Sequence, residues 1–172
     1  MKKTILKLVL VAGLLVSNAS AWSIEKHSYL GVSAKSGTIS IGNDYKERLY
    51  GLKWGVYSIF NSGLLLGVDF EGDYGKSKDM DNSKVAYFDA NIHLGYRILS
   101  KYKVDVYAIG SAKKGTIENL DMYGFGYGVG IAKNLWNFGR LTIEYKKYSL
   151  TAKGGLDVDE SNIGGGIVFF LR

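Results

Sequence analysis

The side chains that could do chemistry are few in kind and regular in place. There is no cysteine, which excludes disulfides, thiolate metal sites and a thiol nucleophile. The only histidines are His27 and His93. What the chain does hold is a series of acids and bases spaced by two within otherwise apolar segments. It runs through Lys53, then Asp69, Glu71 and Asp73, then Asp89, His93 and Arg97, then Asp105, and finally Arg140, Glu144 and Lys146. Even spacing places such residues on one face of an extended strand. Six are acidic and four are basic, His93 aside. Brought together in an enclosed space they must pair or reach water, because an unpaired buried charge is costly. Two chemistries follow: a structural network of ion pairs and hydrogen bonds, or a narrow ion path with movable pairs as its gate.

The elements that would hold these groups show most sharply in Asp121 to Lys133, DMYGFGYGVGIAK. One parity is Tyr123, Phe125, Tyr127, Val129 and Ile131; the other is Met122, Gly124, Gly126, Gly128, Gly130 and Ala132. A helix would scatter the glycines round its surface and lose stability at each. A strand puts a wide aromatic face opposite one almost free of side chains, and those glycines make room for side chains reaching across from other strands.

The same alternation recurs along the chain. Its apolar faces are Leu30–Val32–Ala34, Tyr50–Leu52–Trp54–Val56, Leu64–Leu66–Val68–Phe70 and the even positions from Ala86 to Ile98. Val104–Val106–Ala108, Leu141–Ile143–Tyr145 and Ile163–Ile167–Phe169–Leu171 complete the set. With the glycine-rich segment this predicts eight strands of about 9–14 residues, long enough to cross a bilayer at a tilt. Turns are expected at Gly42–Asp44, Asn61–Gly63, Ser100–Lys101 and Asn134–Phe138. Longer polar loops are expected at Gly75–Ser83, Lys113–Asn119 and Thr151–Glu160. In the first strand the apolar parity shifts to Ile39 and Ile41, as expected of a bulge at Ser36–Gly37 or of a strand that leaves the membrane there.

Residues 1–21 differ from the rest. Lys2, Lys3 and Lys7 lead into a short apolar run, Leu8 to Val16, and an Ala-x-Ala site at Ala19 and Ala21. This is the pattern of a cleaved signal peptide, with residues 22–172 as the mature domain. Its loss lowers the formal charge from +6 to +3, and no run of Lys and Arg suited to phosphate tracking remains, so nucleic acid is not an expected partner. There is no proline, while there are 23 glycines and 13 tyrosines. A mean hydropathy of −0.01 reflects apolar and polar residues interleaved rather than segregated. A mature chain without a long apolar run can span a membrane only as a closed barrel. A soluble barrel with a greasy pocket alternates too, with the apolar parity inward. The bare glycine parity, the aromatics near strand ends (Tyr50, Phe60, Phe70, Tyr96, Tyr145) and the bulk of the apolar parities favour the membrane form.

On these residues the chain resembles the small eight-stranded outer-membrane β-barrels of the OmpX and OmpA transmembrane-domain type, porin-family or surface-antigen-like proteins. The resemblance implies an all-β, antiparallel, up-and-down transmembrane barrel in the outer membrane of a Gram-negative bacterium. It also implies a monomer in contact with outer-membrane lipid and lipopolysaccharide, with loops that meet unknown partners. In such families the last strand carries a signal for the barrel assembly machinery, which Asn162, Gly164, Ile167 and Phe169 match; Phe170–Leu171–Arg172 extend beyond the usual terminal aromatic. The expected role is structural or surface-exposed, with a lumen filled by charged and polar side chains. The alternative is a narrow ion or small-solute channel. A lipid A-modifying enzyme and a soluble periplasmic lipid carrier are further readings. Deacylases of this kind carry His-x-Ser with an acidic partner, and His93 is followed by Leu94 and Gly95. No catalytic residue, cofactor or metal is therefore expected. The carboxylates at Asp79 and Asp81, and at Asp157, Asp159 and Glu160, read as solvated loop charge rather than as a Ca²⁺ site.

Overall fold

The computed structural model describes residues 23–77, 83–118, 120–135 and 137–171. The signal peptide expected over residues 1–21, the loop acids Asp79 and Asp81, and the terminal Arg172 lie outside the described residues. The strands are β1 (Ser23–Ile41), β2 (Asn43–Phe60), β3 (Leu64–Ser77), β4 (Lys84–Leu99), β5 (Val104–Ile117), β6 (Leu120–Leu135), β7 (Gly139–Ala152) and β8 (Asp157–Leu171). They form one closed antiparallel barrel in sequence order. It closes between β1 and β8, from Ser28 opposite Leu171 to Ser40 opposite Asp159. Closure leaves no unpaired strand edge.

The strands are longer than the alternation alone suggests, running from 14 residues in β3 to 19 in β1. Each of the three segments read as polar loops is in part strand. β3 continues to Ser77, β5 continues through Lys113 to Ile117, and β8 begins at Asp157. Pairing is unbroken there, with Asp89 opposite Lys113 and Tyr148 opposite Glu160. Polar composition suggested loops because both faces of these hairpins carry polar groups, one set outside and one set inside the barrel. Where the connection is described, the expected ten-residue loop between β7 and β8 shortens to residues 153–156, and most of the β3–β4 connection lies outside the described residues. Glycines with positive φ sit at two apices, Gly42 at 74° and Gly63 at 89°.

The bulge expected at Ser36–Gly37 is not present. Ser36 pairs with Arg48 and Gly37 with Glu47 in continuous register. The shift in apolar parity is real, but it is the lumen that changes character. Ile39 is fully buried inside the barrel, among Leu49, Val85, Ile117, Met122, Leu150 and Val158. A second apolar cluster, with Tyr29, Tyr57, Ile59, Leu65, Tyr107, Ile109 and Val168, fills the end nearer the chain termini. The polar network lies between and around these two clusters. The outer surface is the apolar one: Leu52, Trp54, Phe125, Tyr127, Val129, Ile143 and Phe169 are all exposed. In water, each such side chain would forgo about 1.5–3 kcal/mol of burial.

Candidate functional site

Strand alternation carries the charged parity inward from five strands, and the narrowness of an eight-stranded barrel brings those side chains into contact. Lys53, Asp69, Glu71, Asp73, Asp89, His93, Arg97, Asp105, Arg140, Glu144 and Lys146 are all buried. Nearest the termini, the Arg97 guanidinium donates to Asp105 (2.8 Å) and to Glu25 (2.9 Å). Arg140 approaches the other Asp105 oxygen at 3.0 Å and lies over the Tyr57 ring, 4.5 Å from its centroid.

At mid-barrel, the Lys53 ammonium donates to both Glu144 oxygens, at 2.9 and 2.8 Å. Tyr107 donates to Glu144 at 2.9 Å. Asp69 accepts from Tyr29 at 2.9 Å and Asn91 at 2.6 Å, and His93 Nε2 lies 3.1 Å from it. The His93 ring stacks on Tyr107 at 5.0 Å. Lys146 donates to Glu71 at 3.1 Å.

Besides Glu25, three ionisable residues not singled out in the sequence belong to this network, Lys35, Glu47 and Lys113, and so does Glu160, which was expected to be solvated loop charge and is instead buried. The Lys35 ammonium lies 2.7 Å from Asp73, 2.8 Å from Glu71 and 3.9 Å from Asp89. Those three carboxylates are close enough together to hold a metal ion, but the protein's own ammonium fills the space between them. Lys113 donates to Glu160 (2.5 Å) and is sandwiched between the rings of Tyr87 and Tyr148, at 4.1 and 4.0 Å from their centroids. Cation–π attraction of this kind strengthens as water is excluded. Lys35 shares the inward parity of Gly31 and Ser33, a signal the sequence contained. Lys113 and Glu160 were obscured by their polar neighbours. Strand alternation also separates Glu160, inside, from Asp157 and Asp159, outside, so the three cannot share a cation.

The glycine parity of β6 faces this crowded interior. A Cβ on Gly126 would collide with the ring of Tyr148, and one on Gly130 would come within 2.5 Å of the Tyr107 ring. Each glycine is paired directly with that tyrosine across the ladder. The same relation holds for Tyr87 with Gly115, while Tyr29 with Gly55 and Tyr57 with Gly67 are ladder partners without the ring over the glycine. Large rings thus fit a narrow barrel by lying over glycines of the next strand. Two small cavities lie among the described lumen residues, of about 20 Å³ beside Lys53, His93 and Glu144 and about 10 Å³ beside Lys35 and Lys146. Each is about the room one water needs.

At the terminal end of the lumen, burial pushes the Glu25 carboxyl up. The hydrogen bond and charge of Arg97, with Lys103, outweigh it and hold the group below the usual carboxylate range. Burial lowers His27 below the ordinary histidine value, and its ring stacks on Phe170 at 4.1 Å. Phe170, in the C-terminal extension, turns inward and packs on the lower apolar cluster. Among the described hydrogen bonds, no serine hydroxyl meets either histidine. In the stretch read as an assembly signal, Asn162 is buried and Gly164 lies against Lys35, while Ile167 and Phe169 face outward.

Fold and lumen together define an eight-stranded barrel of the small outer-membrane type, apolar outside and polar within. Neisserial surface protein A has the same fold, with a TM-score of 0.62 at 14% identity, covering 86% of this chain and 99% of that one. Ail, the attachment invasion locus protein of Yersinia pestis, aligns with a TM-score of 0.60 at 14% identity, over 86% of this chain and 100% of the other. No protein-family model matches the sequence, and no curated protein matches it.

Proposed function

We propose that this chain is a monomeric integral protein of the outer membrane of a Gram-negative bacterium. In this reading it is exported by its N-terminal segment, closed to ion flow, and acts through the surface formed by its hairpin ends. The observation that carries the reading is the filled lumen. Paired charges lie between and around two apolar clusters, and the two cavities beside them among the described residues are of single-water size. A conducting pore needs a continuous wet path, and tyrosines seated over glycines would have to move to open one.

The apolar exterior supports placement in a bilayer, where backbone groups are satisfied only by closed ladders or helices. The two similar structures, a surface protein and an attachment invasion locus protein, support a role in surface contact rather than transport. The reading assigns no catalytic role and no cofactor. Asn162, Gly164, Ile167 and Phe169 would be read by the barrel assembly machinery during insertion. The test is planar-bilayer recording of the refolded protein. The reading predicts no steady unitary current; stable ohmic steps would establish the channel alternative instead.

A further inference from the structure

Three cations stand side by side on the outside of the barrel. Arg48 of β2 is directly opposite Lys76 of β3, and Lys76 is directly opposite Lys84 of β4. All three are exposed and outward-facing. At a strand spacing of about 4.8 Å they form a row about 10 Å across. Like charges directly opposed across strands are destabilising. Among the described residues no carboxylate forms a salt bridge with any of the three. The row sits at the barrel end opposite the chain termini, one step beyond the exposed tyrosines Tyr50 and Tyr74, which are themselves cross-strand partners.

Directly below Arg48 and Lys76, from β3 and β2 across β1 and β8 to β7, the apolar exterior is hollow. An open groove of about 850 Å³ is lined by Tyr50, Leu52 and Tyr74 and by outward-facing residues with little or no side chain, Ala34, Gly72 and Gly165. Gly72 is not required by packing, since a Cβ there would meet nothing within 4 Å. Cations at the headgroup level above an apolar furrow at acyl-chain depth complement one class of molecule, an acylated lipid that bears phosphate.

Building on the membrane-barrel reading above, we propose that Arg48, Lys76 and Lys84 with the Gly72 groove form a binding site for a phosphorylated lipid of the leaflet at this end. The phosphate lies across the cationic row, and an acyl chain lies in the groove. The site relieves the repulsion among the three cations and fixes a lipid at one position on the barrel wall. Because Gly72 makes no internal contact, the groove can be filled without disturbing the lumen.

The experiment uses full-length protein refolded in detergent and native mass spectrometry, with bis-phosphorylated lipid A and phosphatase-treated lipid A as probes. Heat-modifiable gel mobility first establishes that each variant has formed its barrel. The wild type should retain one phosphorylated lipid, with about tenfold or greater preference over the dephosphorylated form. The triple variant Arg48→Gln, Lys76→Gln, Lys84→Gln should lose that preference. Gly72→Phe should weaken retention of both forms while keeping the preference. Equal retention of the two lipids by the wild type, or unchanged selectivity in the triple variant, would overturn the site while leaving the barrel intact. A wild-type chain that never acquires heat-sensitive mobility would overturn the membrane reading, and the site with it.

Discussion

Gly126 and Tyr148 face each other across the β6–β7 ladder, and the tyrosine ring covers the glycine so closely that a methyl group there would overlap it. The ring reaches this position because it has a carboxylate to meet: its hydroxyl donates to Asp89 at 3.3 Å, and its face covers Lys113. Gly126→Leu should therefore lower stability by about 3 kcal/mol or more, or block folding, because a packed interior cannot absorb the added volume. Tyr127→Leu, one residue away and 68% exposed, should change stability by less than about 1 kcal/mol. Urea unfolding in vesicles, followed by gel mobility, measures both.

The Lys53–Glu144 pair is buried and doubly hydrogen-bonded. Removing one member leaves the other buried with only longer ionic contacts, Lys53 to Asp69 at 3.8 Å and Glu71 at 3.9 Å, or Glu144 to Lys146 at 3.4 Å. Glu144→Leu or Lys53→Met alone should cost about 3–5 kcal/mol. The double variant should recover a large part of that loss, because a buried pair replaced by apolar groups of similar size is often neutral. A double-mutant cycle on unfolding free energy measures the coupling.

Glu25 supplies a pH dependence at the rim. Its folded carboxyl is held below its unfolded value by Arg97 and Lys103, after burial opposes the shift. The stabilisation is therefore present above the ordinary carboxylate range and is lost as pH falls through the lower, folded value. Wild type should exceed Glu25→Gln in stability at pH 7, by no more than about 1 kcal/mol for a partly exposed pair. The difference should shrink to nothing in strong acid. Matched urea titrations at pH 7 and below pH 4 test the sign.

Much of this fold was legible because strand alternation is a short-range signal. The inward parity from Asp69 to Asp73 and from Asp89 to Arg97 could be read residue by residue, as could the outward aromatics of β6. The site was legible in membership but not in pairing. That Lys53 meets Glu144, 91 positions away, depends on the tilt and shear of the closed barrel. Ile39 misled because inward residues were expected to be polar throughout, whereas the lumen turns apolar at both ends. Lys113 and Glu160 were obscured because a hairpin that is polar on both faces has no alternation to detect.

The central claim is which parity faces the bilayer, and a cysteine-free chain allows a direct measurement. A fluorophore on Val129→Cys, at an exposed position, and one on Ser111→Cys, at a buried one, can be compared in vesicles containing a lipid-borne quencher. The account predicts strong quenching at position 129 and little labelling or quenching at position 111. Strong quenching at 111 with position 129 shielded would mean that the barrel is inside out relative to the lipid, and would contradict it.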